Sequence, residues 1–176
     1  NKILLAFTQL LRPEIPELLK AWNLLGLIDF IRAKSLLCNE YKCVIPEIQD
    51  EPMFFWRQAR HPLLEQKLKS QNKLITPLDL SLDKDNRILV ISGPNAGGKS
   101  VCLKTIGLVQ YMLQCGLAVP MEVDSKCGVF HDMFIDIGDS QSLENDLSTY
   151  SSHLLNMKEL LGQANKRTLF LIDEFG

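Results

Sequence analysis

Gly93-Pro94-Asn95-Ala96-Gly97-Gly98-Lys99-Ser100 fits the phosphate-binding loop pattern G-x-x-x-x-G-K-[ST] at every fixed position. Its flanks carry equal weight. Arg87-Ile88-Leu89-Val90-Ile91-Ser92 reads as a buried strand ahead of the loop, and Val101 to Gln114 reads as a helix after it. The motif needs that strand–loop–helix context. Glycines without a Cβ let the backbone curl and turn its N–H groups inward, and the following helix adds its positive end. Lys99 is placed to reach the β- and γ-phosphates of a nucleoside triphosphate, and the Ser100 hydroxyl to ligate Mg²⁺. The reading is a nucleotide site at Gly93 to Ser100, not a chance glycine-rich turn before a helix.

A second stretch supports the first. Thr168-Leu169-Phe170-Leu171-Ile172-Asp173-Glu174 is an apolar run ending in two carboxylates. Such a run suits a strand covered on both faces. Carboxylates at its C-terminal end fall where open α/β sheets bind ligands. Asp173 is then a Mg²⁺ ligand and Glu174 the general base that polarises the attacking water. The bland alternative for the pair is a solvated strand end or an acidic helix cap.

The rest of the chain bounds the answer. It has 176 residues and a formal net charge of −2, enough for a compact α/β domain and without the basic excess of a main nucleic-acid surface. Cys38, Cys43, Cys102, Cys115 and Cys127 show no metal-type spacing, so free thiols in a reducing cytoplasm are the expectation. No stretch reaches membrane-spanning length. The chain starts at Asn1 inside helix-like sequence and stops just after the acidic pair, which reads as part of a longer protein.

Residues 1 to about 45 are expected to be helical, with helix 2 running from near Glu14 to near Tyr41. Leu18, Trp22, Leu25, Ile28 and Leu36 form its stripe. Core packing is the simplest use of that stripe, a coiled-coil-like arm the alternative. Pro46 to Pro52 marks a boundary, giving a helical segment over 1–45 and a second domain over 46–176. Met53 to Arg57 and Leu78 to Leu82 read as strands, Arg60 to Leu64 as a turn, and Asp83 to Asn86 as a hairpin turn. Gly116 suits a helix C-cap, Val119-Pro120 the start of a loop, and Val129 to Ile137 a further strand. Ser148, Thr149, Ser151 and Ser152 crowd the start of a third helix that ends near Gln163. Hydroxyls there either cap the helix or bind an anion, and the residues alone leave both open.

These segments together resemble the ATPase domain of the MutS mismatch-repair family. The loop has the family's asparagine and paired glycines before lysine. Ala59-Arg60-His61-Pro62-Leu63-Leu64 is similar to the element that opens the domain, and Leu171-Ile172-Asp173-Glu174-Phe175-Gly176 to its acidic strand. Asp136-Ile137-Gly138-Asp139-Ser140-Gln141-Ser142-Leu143, followed by Leu147-Ser148-Thr149-Tyr150-Ser151-Ser152-His153, resembles the branch linked to suppressing recombination. The likeness runs from about Ala59 to the end; the helices before it resemble, more weakly, the end of the family's lever and core region.

The resemblance implies a phosphate-loop NTPase of ABC-ATPase type, with a mostly parallel sheet, flanking helices, an antiparallel β element and a helical segment in front. It implies ATP and Mg²⁺ as cofactors, a head-to-tail homodimer that sandwiches ATP, and DNA bound through regions outside this chain in a bacterial, nucleoid-associated setting. By resemblance Asn95 lines the phosphates, Val101 belongs with the nucleotide-binding residues, and Leu74 and Ile75 pack against adenine. Gln141 lies in the segment that senses the γ-phosphate, and Ser148 acts in trans as the signature serine. The family's later Thr-Gly-Thr loop, switch histidine and helical dimerisation element do not occur in this sequence, so weak or no hydrolysis is expected of this segment alone. A non-catalytic, nucleotide-gated dimerisation module is the alternative. A small GTPase fits Asp173-Glu174-Phe175-Gly176, but the separation from Lys99 is long and no N-K-x-D follows.

Overall fold

The structure is a computed structural model that describes residues 2–94, 97–137, 157–158 and 162–173. The chain divides into two units, Asn1–Glu40 and Tyr41–Gly176.

In the first unit, α1 (Lys2–Leu11) passes through a 3₁₀ turn (Arg12–Glu14) into α2 (Ile15–Tyr41). Pro13 removes a backbone donor within the turn, which tightens the winding there. The residues on both sides, Leu11 and Ile15, keep right-handed helical angles, so the chain continues instead of doubling back. No described residue of 2–40 is buried, and the stripe of Leu18, Trp22, Leu25, Ile28 and Leu36 is exposed. The expected core packing of that stripe is therefore not seen. Helical periodicity specifies an apolar face, and a consecutive pair of helices that does not fold back has nothing to bury it against.

In the second unit, a four-stranded sheet runs in the order β1 (Glu47–Gln49), β4 (Lys126–Gly128), β2 (Phe54–Ala59), β3 (Leu78–Leu82). β1 pairs parallel with β4, while β2 is antiparallel to both β4 and β3. Alternation in β2 sends Phe54 and Trp56 inward, where their rings meet edge-on at 5.0 Å, and Phe54 also stacks on Phe130 at 5.0 Å. Leu80, Val119, Met121 and Cys127 complete this core, and burial pushes the Cys127 thiol up to about 12. A bulge interrupts β2 at Gln58, a non-glycine residue with φ 51°. Its N–H donates to Asp79 Oδ1 (2.7 Å), which holds that carboxyl below its ordinary range.

A separate pair, β5 (Asp132–Asp136) and β6 (Thr168–Ile172), is parallel and fully in register from Asp132 opposite Thr168 to Asp136 opposite Ile172. Helix α4 (Lys99–Gln114) packs on it. At Gly107 a Cβ would lie 3.0 Å from Leu171 Cδ1 and 3.3 Å from Ile135 Cδ1, so glycine is what allows the helix this close. Arg167, just before β6, pairs with Asp50 (2.9 Å), tying the start of β6 to the loop ahead of β2.

The structure corrects the sequence reading at four places. Residues 87–92 form no strand, and Ile88 and Val90 are 86% and 81% exposed. A strand exists only when a neighbour completes its ladder, and no described strand pairs with this run. Among the described residues the strands form two small sheets, one mixed and one parallel, instead of a single mostly parallel one. Arg60 to Leu64 is not a plain turn. His61 stays extended, as a residue before proline must, and its Nδ1 accepts from Leu64 N (3.3 Å) as N-cap of α3 (Pro62–Lys69), with Pro62 opening the helix. The segments at 47–49 and 126–128 become strands, and Val119 bridges Val44, because their partners lie far away in sequence.

Candidate nucleotide site

The candidate site grows from the start of α4. Gly97 N donates to Pro94 O (2.8 Å), closing a turn immediately before the helix. Gly98 is the N-cap, with φ 88° and ψ 16°, a left-handed conformation that suits glycine and aims the chain into the helix. The first helical bond inside α4 is Cys102 N to Gly98 O (2.9 Å), so the N–H groups of Lys99, Ser100 and Val101 precede it at the positive end of a 16-residue helix. Lys99 Nζ donates back across the turn to Gly93 O (2.6 Å). The ammonium, the first-turn N–H groups and the Ser100 hydroxyl thus belong to one short stretch of backbone.

Asp173 stands one residue past β6. Its N–H donates to Asp136 O (2.9 Å), which carries the β5–β6 ladder one step beyond the strands and fixes the backbone from which the carboxylate projects. β6 also packs against α4. A carboxylate at a strand terminus, a hydroxyl in a helix's first turn and a nearby lysine are hard oxygen and cationic donors of the kind a magnesium–triphosphate needs, so the described residues fit that group. The fit rests on two elements that this fold already holds against one another.

The other expected residues fall in three groups. Gly93, Pro94, Gly97, Gly98, Lys99, Ser100 and Val101 are contiguous around the helix start. Leu74 is 95% exposed and Ile75 is half-buried, both in the irregular stretch between α3 and β3, so neither is set in a formed base-binding wall. Asn95, Ala96, Gln141, Ser148 and Glu174, with the serine-rich helix start as a whole, lie outside the described residues. A shallow groove of about 160 Å³ lined by Phe55, Arg57, Asp79 and Ser81 belongs to the β2–β3 hairpin and shares no residue with the loop.

Sequence reading passed over Gln110 and Gln114, and it gave Arg60 and His61 only a turn and a family likeness. Gln110 of α4 is wholly buried; its Nε2 donates to Gly128 O and to Gln114 Oε1, both at 2.9 Å. Gln114 in turn meets both backbone groups of Phe130. The available signal was two glutamines four residues apart in the apolar second half of the helix. Arg60 places Nη2 3.0 Å from the Tyr41 carbonyl and Nε 3.2 Å from Glu65 Oε2, capping the end of α2 where Lys42 turns left-handed at φ 50°. His61 is half-buried, and burial holds its imidazole below the ordinary value, with the Lys104 charge of α4 adding to the effect.

Comparison with known proteins places the sequence in a family. Residues 89–176, half of the chain, match the family model of MutS domain V. The whole chain is 43% identical to Endonuclease MutS2 of Carboxydothermus hydrogenoformans. It is 41% identical to that of Levilactobacillus brevis and 43% to that of Streptococcus agalactiae. In each case it spans 22% of the relative's length. With the glycine-capped helix start, the acidic strand and these matches together, the chain belongs to the MutS family, on its MutS2 branch.

Proposed function

We propose that this chain is the ATP-binding and hydrolysing portion of a MutS2-type protein acting in DNA repair or recombination control, with the fold of an ABC-type phosphate-loop NTPase. The observation that carries the reading is the left-handed Gly98 cap, which delivers Lys99 and Ser100 into the first turn of α4 while Asp173 leaves the strand packed against that helix. Gly93, Asn95, Ala96, Gly97, Gly98, Lys99 and Ser100 supply backbone donors to the phosphates, while Pro94 has no N–H to give. Lys99 neutralises the β- and γ-phosphate charge. Ser100 and Asp173 would hold Mg²⁺, which would supply charge screening for phosphoryl transfer. Glu174 accepts the proton of the attacking water. Leu74 and Ile75 contact the base after the stretch that carries them closes on it. A second copy adds Ser148 and Gln141 in trans, and DNA is held by parts of the longer protein outside this chain.

The test uses the intact protein. Glu174→Gln is expected to leave ATP binding in place and abolish turnover, trapping the nucleotide, while Lys99→Ala abolishes binding. Turnover that survives Glu174→Gln removes the general-base role from Glu174. If the unaltered protein binds ATP tightly and dimerises on it but releases no phosphate, the chain is a nucleotide-gated dimerisation module. Competition between ATP and GTP for the site decides the base.

A further inference from the structure

The loop side and the acid side of the proposed site stand on different elements, and something must fix their mutual position. Ser100 sits in the first turn of α4, and Asp173 follows β6. Gly107 brings the middle of α4 close to Leu171 and Ile135, but apolar contact of this kind resists separation more than it resists sliding. A directional contact sits at the other end of the helix. Gln114 Oε1 accepts from Phe130 N (3.0 Å), and Gln114 Nε2 donates to Phe130 O (3.1 Å). One side-chain amide thus meets both backbone groups of a single residue, as a partner residue in a β-ladder would. Gln110 orients that amide by donating to the same Gln114 Oε1, and it anchors itself on Gly128 O.

Phe130 lies at the junction between the two sheets. Behind it is β4; two residues ahead, β5 begins at Asp132. Its ring stacks on Phe54, which holds the junction to the four-stranded sheet. β5 then runs in register with β6 to Asp136, whose carbonyl accepts from Asp173 N. A continuous path of directional bonds therefore leads from the end of α4 through Phe130 and β5 to the backbone of Asp173. α4 cannot slide along β5 and β6 without breaking the Gln114–Phe130 pair.

From this geometry we infer that Gln114, oriented by Gln110, is a positioning residue that sets the axial register of α4 against β5–β6, and with it the placement of Ser100 relative to Asp173. The inference rests on the proposed nucleotide site and names a determinant within it. Magnesium demands near-ideal octahedral geometry with oxygens at roughly 2.0–2.1 Å, directly or through ordered water, so it tolerates little slip between two donors. Phosphate contacts made by the loop itself travel with α4 and are indifferent to that register.

The experiment measures ATP affinity of the intact protein with and without Mg²⁺, for the unaltered chain and for Gln114→Met. Methionine keeps the side-chain length and loses both amide contacts. The expected result is metal-free ATP affinity unchanged within about twofold, with the Mg²⁺ concentration for half-saturation raised about fivefold or more (a differential of roughly 1 kcal/mol by RT ln 5). Gln110→Met, which leaves the Phe130 pair in place, is expected to shift the Mg²⁺ requirement less; it carries the test alone if Gln114→Met does not fold. Equal losses with and without Mg²⁺ show a merely structural role and overturn the inference, as does no change in either. An unaltered protein that binds no ATP overturns the nucleotide reading itself, a result distinct from one that binds ATP normally and ignores Gln114.

Discussion

Two apolar runs in this chain look alike as sequence and differ as structure. Arg87 to Ser92 leads into the glycine-rich loop, and Thr168 to Ile172 leads into Asp173. Both are short, rich in isoleucine, leucine and valine or phenylalanine, and bounded by polar residues. The second is β6, in register with β5 along its whole length, covered by α4, with Leu169 and Leu171 buried. The first belongs to no strand, and its Ile88 and Val90 face solvent. Composition states that a segment gains by burial. It does not state which edge will receive it, and a strand needs both a ladder partner and a cover for its face.

The largest effect expected from this contrast is at Leu171. Leu171→Ala removes a side chain packed under Gly107 of α4 and is expected to cost about 2–5 kcal/mol, read as a lower midpoint in urea denaturation. A loss below about 1 kcal/mol would mean that the α4–β6 contact is loose, and the contrast with the first run would collapse.

A smaller effect is expected at His61, which belongs to neither run. Burial holds His61 below its ordinary value of 6.5, so the folded chain binds fewer protons there than the unfolded chain. Its contribution is present above that ordinary value and is lost as pH falls below it through the lowered folded value. The melting temperature is therefore expected to fall as pH drops below 6.5. His61→Asn, which keeps an N-cap acceptor for Leu64 N, is expected to flatten that part of the profile. An unchanged slope would show that His61 titrates as it does in the unfolded chain.

The smallest effect is the one most able to break the comparison. Val90→Thr is close to isosteric and places a hydroxyl on a residue that is already exposed, so it is expected to change stability by no more than about 0.5 kcal/mol. A cost comparable with that of Leu171→Ala in the intact protein would show that 87–92 is a buried strand there, paired with an edge that the described residues do not supply.

What was legible in the sequence was local. The loop announced itself because glycine at Gly98 and the adjoining Lys99 and Ser100 answer a requirement of a few consecutive residues, a left-handed cap followed by a charged helix start. The α2 span, the alternation of Leu78 to Leu82 and the position of Asp173 just past an apolar strand were likewise readable from period and end residues. His61 was half-legible. The avoidance of helix before Pro62 was expected, but the helix that Pro62 opens was not, since the same Arg-His-Pro reads as a turn when only the residue before proline is weighed.

The chemistry near the loop is fixed by neighbouring residues: which backbone can turn, which side chain carries charge, which hydroxyl and carboxylate can serve as hard ligands. These follow from the identity of adjacent residues and need no knowledge of distant ones. Only the tertiary structure decided which apolar runs become strands, that Glu47 to Gln49 pairs with Lys126 to Gly128, and that Gln114 is matched to Phe130 and Gln110 to Gly128. Each of those is a pairing between groups separated along the chain. Its energy is a property of two sites brought together, so it is written in neither segment alone.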